Sequence, residues 1–172
     1  MTKKEMRPFE AYEKFINVLA EPGALLGVID NQNRPNVMAI GWCTVGRIWG
    51  KTICTVYVRP TRHSYTCLED IRQFTVNAVG VSAEAVMLCG KVTGRTQDKF
   101  VAAKITAGAA KKVKAPIVSE CALHYECNVV HYNDIDPMNL HRCVIDEFYP
   151  TGNFHRVYYG EVVACYGDAS KI

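Results

Sequence analysis

Five of the six residues from 59 to 64 are Arg59, Thr61, Arg62, His63 and Ser64, the densest set of anion-binding groups in the chain. They follow the β-branched run ICTVYV and open a stretch, 62–72, in which Tyr65, Leu68 and Ile71 share one helical face. A strand feeding a cationic, hydroxyl-rich turn at a helix N-terminus gathers backbone N–H groups, a positive dipole end and side-chain donors at one point. Those are the requirements of a phosphate site. The same residues also suit a solvated sheet edge, with Thr61 and Ser64 capping the helix, and residue types alone leave both readings open.

Other site chemistries lack their parts. Cys121, His124 and Cys127 carry metal-ligand side chains, but on a strand His124 points away from both cysteines, which lie roughly 20 Å apart. No Ser-His-Asp set or carboxylate pair stands out, so no catalytic residue and no general base is assigned. The chain has eight cysteines. Cys43, Cys54, Cys127, Cys143 and Cys165 sit in strand-like runs, which fits small buried hydrophobes in a reducing cell better than a disulfide scaffold.

The elements that must position these groups are short. Phe9, Tyr12, Phe15, Ile16 and Leu19 recur at helical intervals over 9–21, closed by Pro22-Gly23. A hairpin is expected from 24–30 and 36–45, then a strand over 51–58, a helix over 62–72 and a strand over 74–79. Ser82 opens a helix ended by Cys89-Gly90, and another covers 98–104, with Phe100 and Val101 turned to the body. Strands are expected over 123–130, with Leu123, Tyr125, Cys127 and Val129 on one side, and over 140–148 and 155–166. Two irregular segments, 132–138 and 149–153, fall between them. Six or seven short strands with small interposed helices favour a closed antiparallel barrel over a doubly wound sheet, and no GxGxxG follows a strand.

Composition narrows the function classes. A length of 172 residues fits one domain, 1–172, that buries roughly two-thirds of its unfolded surface. Hydrophobic residues at 49% and charged residues at 22% are an ordinary globular balance. A net charge of +3 without a basic stripe gives no case for nucleic acid. Lys111, Lys112 and Lys114 beside Lys104 read as a solvated loop or helix face. No apolar run has membrane length, and MTKKEMRPFE is not followed by an apolar signal core. The expected setting is cytoplasmic.

Taken in order, RPNVMAIGWCT at 34–44, VRPTRHSYTCL at 58–68, FTVNAV at 74–79, CGKVTGRTQDKF at 89–100, HYECNVV at 124–130 and GEVVA at 160–164 resemble the flavin reductase-like domain family. The likeness is to its flavoredoxin branch and covers about 22–168. It implies a mainly β, antiparallel split barrel with short peripheral helices, working as a homodimer with FMN in a groove near the subunit interface. By the same resemblance, Trp42, Cys43 and Thr44 lie along the isoalloxazine. Arg59, Thr61, Arg62, His63 and Ser64 meet the ribityl phosphate. Asn77, Ala78 and Val79 border the ring or ribityl chain, Gly90 and Lys99 close over the phosphate end, and His155 stands near the flavin.

The implied activity is an FMN-containing oxidoreductase of the flavin reductase type with NAD(P)H as reductant. The alternatives are a flavoredoxin-like electron carrier fed by another redox protein, and a non-redox barrel dimer. The family pattern is departed from at 131–154, a long connection carrying His131, Asp134, Asp136, His141 and Asp146 with Phe148 and Tyr149. Its aromatics and the Pro150/Gly152 turn suit a lid that shapes access to the flavin.

Overall fold

The computed structural model describes residues 3–172. In chain order the elements are β1 (Lys4–Glu5), α1 (Tyr12–Ala20), β2 (Ala24–Ile29), β3 (Pro35–Ile40), β4 (Cys43–Ile48), β5 (Lys51–Val58), α2 (His63–Asp70) and β6 (Gln73–Ala78). Then come α3 (Ala83–Lys91), α4 (Lys99–Ala103), β7 (Ala107–Gly108), β8 (Ile117–Val118), β9 (Leu123–Asp134), α5 (Arg142–Phe148) and β10 (Arg156–Gly167). A 3-10 turn, Pro137–Asn139, precedes α5. No helix among the described residues is long and apolar enough to cross a membrane.

The main sheet is antiparallel, in the order β3-β2-β6-β9-β10-β5-β4, with β1 added to β10. This bears out the β-rich split barrel but corrects the closed one. The path does not return on itself, because its two end strands, β3 and β4, follow each other in the chain without pairing. The apolar run expected as one strand over 36–45 therefore breaks at Gly41-Trp42. Its first half pairs with β2 and its second with β5, and a single straight strand cannot reach both partners.

Inside the curl, Phe15, Leu26, Val28, Val56, Phe74, Tyr125 and Tyr158 form the main core. Leu123, Tyr125 and Cys127 face inward as alternation requires. Gly160 is needed there, since a Cβ on it would lie 2.5 Å from the Phe74 ring and 2.7 Å from Cys127 Cβ. His124 and Glu126, on the outward side of β9, are buried too, and segment 109–119 covers Glu126. The Glu126 carboxylate accepts from the Lys111 and Lys112 amides and from Tyr166 Oη.

Several boundaries differ from expectation. Residues 140–148 are not a strand. His141 caps α5, whose inward side carries the half-buried Val144 and Ile145, and a local cap with helical spacing overrides the β-leaning composition. Cys143 is thus exposed on a helix, while the other seven cysteines are buried and all eight are free. β9 runs on to Asp134 through residues expected to be irregular, held by β10 as far as Arg156. Helix α3 continues through Cys89 and Gly90 to Lys91. On α4, Phe100 packs inward but Val101 is 75% exposed.

Candidate functional site

Three adjacent hollows lie along β3, each sharing lining residues with the next. The first, about 210 Å³, lies over residues 38–42 with Tyr57, Arg59, Arg62 and His155. The second is a narrow neck of about 70 Å³ between residues 61–64 of the phosphate-type turn, residues 91–94 and Lys99. It shares Met38 and Arg62 with the first hollow. The third, about 560 Å³, opens beyond His63, Gly94 and Lys99 toward Arg34, Thr66 and Arg95.

The first hollow has an aromatic end wall. Trp42 sits edge-on to Phe148 at 5.3 Å, Tyr57 at 6.2 Å and Tyr149 at 6.3 Å, with the His155 ring 4.7 Å away. Its floor is β3, where Met38 and Ile40 are buried and the small residues Ala39 and Gly41 leave space above the backbone. As an end strand, β3 keeps one edge of N–H and C=O groups free of strand partners, ready to bond a planar polar ligand. His155 Nδ1 meets Tyr149 Oη at 2.7 Å. Burial, helped by Arg59 and Arg62, lowers its pKa to about 4, so the imidazole is neutral near pH 7.

The neck is built for an anion. Helix α2 begins here with no side-chain cap, since its N-cap residue is Arg62, which has no acceptor, and the preceding Thr61 accepts through Oγ1 from Asn153 Nδ2, 3.0 Å away. The His63 and Ser64 amides are left for solvent or a ligand, while the Tyr65 amide donates to the Arg62 carbonyl. Arg62 gives one bond to the Gly90 carbonyl at 3.0 Å and is otherwise exposed. Lys99 is 6% exposed, and its Nζ donates to the Cys89 carbonyl at 2.9 Å. Burial, with Arg62 adding to it, pulls the ammonium pKa down to about 8.

The residues expected at the site divide into two groups. Trp42, Arg59, Arg62 and His155 meet in the first hollow, and Thr61, Arg62, His63, Ser64 and Lys99 in the neck. Gly90 joins through its carbonyl. Arg59, however, is turned to the chain itself: it donates to the Phe148 and Asn153 carbonyls and lies 5.0 Å over the Tyr149 ring. It pins the segment after α5 rather than facing the neck. Ser64 is buried, and its Oγ accepts from Asn36 Nδ2 at 2.9 Å, so it offers the neck only its backbone.

Cys43 and Thr44 are near in sequence but turned away. Cys43 Sγ lies in the core 3.5 Å from Cys54 Sγ, and Thr44 pairs its hydroxyl with Thr55. Asn77, Ala78 and Val79 line a different hollow, beside Pro22, Gly23 and Val86. Asn77 is fully buried and saturated. Nδ2 donates to Leu25 O and Thr75 Oγ1, while Oδ1 accepts from the Val118 amide and meets His124 Nδ1. His124 in turn meets Lys3 Nζ at 2.7 Å, a structural chain rather than a metal set. No metal-ligating cluster occurs among the described residues.

Some site residues escaped the sequence reading. Ala39 and Gly41 form the floor, and two small residues flanking Ile40 were the available signal. Arg95, whose Nη1 donates to Thr61 O at 2.9 Å, clasps residues 92–97 over the turn. A side chain at Gly94 would collide with Asn36 and His63, which explains the glycine in CGKVTGRTQDKF. Segment 131–154 reaches the site through Phe148 and Tyr149, the two residues at and just after the end of α5.

The model of the flavin reductase-like domain matches residues 17–171. Solved structures share the fold at low identity. Flavoredoxin of Desulfovibrio vulgaris (Miyazaki F) aligns with 22% identity over 86% of this chain and 69% of its own, TM-score 0.66. An FMN-binding protein from Thermus thermophilus, solved with p-hydroxybenzaldehyde, aligns with 20% identity over 87% and 73%, TM-score 0.66. An NADH:FAD oxidoreductase of Streptomyces globisporus C-1027 aligns with 14% identity over 98% and 90%, TM-score 0.65. With nearly the whole chain inside the family model and the split sheet intact, the chain belongs to the flavin reductase-like domain family.

Proposed function

We propose that this protein is an FMN-binding oxidoreductase of the flavin reductase type, taking reducing equivalents from NAD(P)H. The observation that carries the reading is the groove itself. An aromatic, edge-strand hollow leads into a neck that joins an uncapped helix start to Arg62 and a buried lysine. A ring system with a polar edge suits the first, and a terminal phosphate suits the second. The flavin, once bound, supplies the two-electron redox chemistry.

The protein's part is to hold, orient and shield. The free edge of β3 offers donors and acceptors to the polar rim of the ring, where donors stabilise negative charge that develops on reduction. Trp42, Phe148 and His155 keep water from the aromatic end. Neutral His155, oriented by Tyr149, is a hydrogen-bonding group rather than a fixed cation. Arg59 holds the Phe148–Tyr149 strap against the end wall, which makes α5 and its flanks the surface an electron donor meets.

Two further readings belong to this proposal. Two copies pair, because the end strands leave open edges and Trp49 and Val130 are 59% and 45% exposed. The eight free thiols support residence in the cytoplasm. The test is anaerobic reduction of the FMN-loaded protein. Bleaching of the flavin band by NADH or NADPH supports the reductase. No bleaching by either, with reduction by a small electron-carrier protein, replaces it with the carrier role. Failure to bind FMN refutes both.

A further inference from the structure

The protons of the Tyr149–His155 pair can be placed from its surroundings. Tyr149 Oη and His155 Nδ1 lie 2.7 Å apart, so one hydrogen sits between them. Tyr149 is 3% exposed, and among the described residues Oη has no second hydrogen-bond partner. Arg59 lies over the Tyr149 ring and gives its terminal nitrogens to the Phe148 and Asn153 carbonyls. Were Nδ1–H the donor, the hydroxyl hydrogen would be buried without an acceptor, which costs the desolvation of an unmade hydrogen bond. With the hydroxyl as donor, that hydrogen is used and only an oxygen lone pair stays idle. The hydroxyl therefore donates, and Nδ1 accepts.

The other ring nitrogen completes the assignment. His155 lines the first hollow beside Arg59 and Arg62, two cations that disfavour a third. Its imidazole is therefore neutral, in keeping with its low pKa. A neutral ring whose Nδ1 accepts carries its proton on Nε2. Nε2 bonds to nothing within the described chain, where no side-chain nitrogen or oxygen is buried without a partner, so Nε2 reaches the open space of the hollow. We infer that Tyr149 is a positioning residue that fixes His155 as the Nε2–H tautomer, so that the aromatic hollow presents a neutral donor and selects a ligand edge that accepts. Tyr149 belongs to the 131–154 connection, where the chain departs from the family pattern. The tautomer stands on the protein alone, while its ligand rests on the flavin reading. An oxidised isoalloxazine has acceptors at N1, N5 and both carbonyl oxygens, and one donor at N3. The ring would turn an acceptor to His155 and leave its N–H for the carbonyls on the free edge of β3.

The experiment records long-range proton–nitrogen correlations of the His155 ring in the flavin-free protein at neutral pH, on the natural chain and on Tyr149→Phe. The expected result is a ring protonated at Nε2, with the Nδ1–H form becoming measurable once the hydroxyl is gone. A natural protein protonated at Nδ1, or tautomer populations unchanged in Tyr149→Phe, overturns the positioning role. FMN titrations on His155→Gln and His155→Met then test the donor, since glutamine keeps a neutral N–H on a side chain of methionine's size. The glutamine variant should bind FMN about threefold to tenfold more tightly than the methionine variant, the worth of one neutral hydrogen bond. Equal affinities overturn the donor role. If the natural protein binds no FMN, the flavin reading falls, and the tautomer measurement still decides the role of Tyr149.

Discussion

Lys99 gives a sharp pH prediction. Its side chain is 6% exposed, beside Arg62, and its pKa is about 8. The free protein therefore carries the ammonium on about nine-tenths of molecules at pH 7 and about one-tenth at pH 9. A phosphate in the neck favours the charged form and holds the proton across that window. The phosphate's own second pKa, about 6, lies below it, so the ligand's charge stays constant. Binding at pH 9 must then take up a proton that the free protein has lost, and affinity falls as pH rises through 8. The expected loss for FMN is about tenfold between pH 7 and pH 9, or about 1.4 kcal/mol. Riboflavin, which has no phosphate, should show no such slope. Fluorescence titrations at several pH values on the natural protein and on Lys99→Met measure it directly. Parallel slopes for FMN and riboflavin, or an unchanged FMN slope in Lys99→Met, would refute the assignment of Lys99 to the phosphate.

Arg62→Ala should weaken FMN by about 1.5–3 kcal/mol, the strength of a charge-assisted hydrogen bond, and leave riboflavin within threefold in the same titration. Asn77→Ala should destabilise the fold by about 2–4 kcal/mol in chemical denaturation, since it strands several buried groups, with little change in flavin affinity of the folded protein. Tyr149→Ala should leave FMN affinity within a few fold but alter stopped-flow reduction rates with NADH, NADPH or a reduced carrier. It removes the ring that touches Trp42, Arg59 and His155 together. The His155 ring resonances should stay flat from pH 8 to about pH 5 and titrate only near pH 4, because burial disfavours its charged form.

Local chemistry was legible in the sequence wherever it depended on neighbours in the chain. The turn at 59–64 is a strand-to-helix junction because β-branched residues stop at Val58 and helical spacing starts after Arg62. Roles set by distant contacts were not. Arg59 looks like its neighbour Arg62, but only the return of the chain at Phe148 and Asn153 turns it inward. Asn77 in FTVNAV has the form of a ligand contact, and partners from β2, β8 and β9 reveal a structural one. Residues 140–148 misled because Val, Ile and Phe suit a strand, while the His141 cap that fixes the helix is a short-range detail periodicity ignores. The break at Gly41-Trp42 was hidden because each half of the run is a good strand, and only pairing to different partners separates them.

That break has a mechanical meaning. Strands β3 and β4 end the sheet, and among the described residues no backbone ladder ties one to the other. The curl is held shut there by the covalent link 41–42 and by core side chains of both strands, Met38 and Ile40 with Cys43 and Val45. A planar ligand lying along this seam would hydrogen-bond where a missing strand would, and clamp the ring of strands as a staple does. Loading the site would then tighten the amides flanking Gly41-Trp42 more than those of β6 or β9, which already have strands on both sides. Affinity and rigidity of the barrel become one quantity, so substitutions that loosen the seam will surface first as lost cofactor and only later as lost fold.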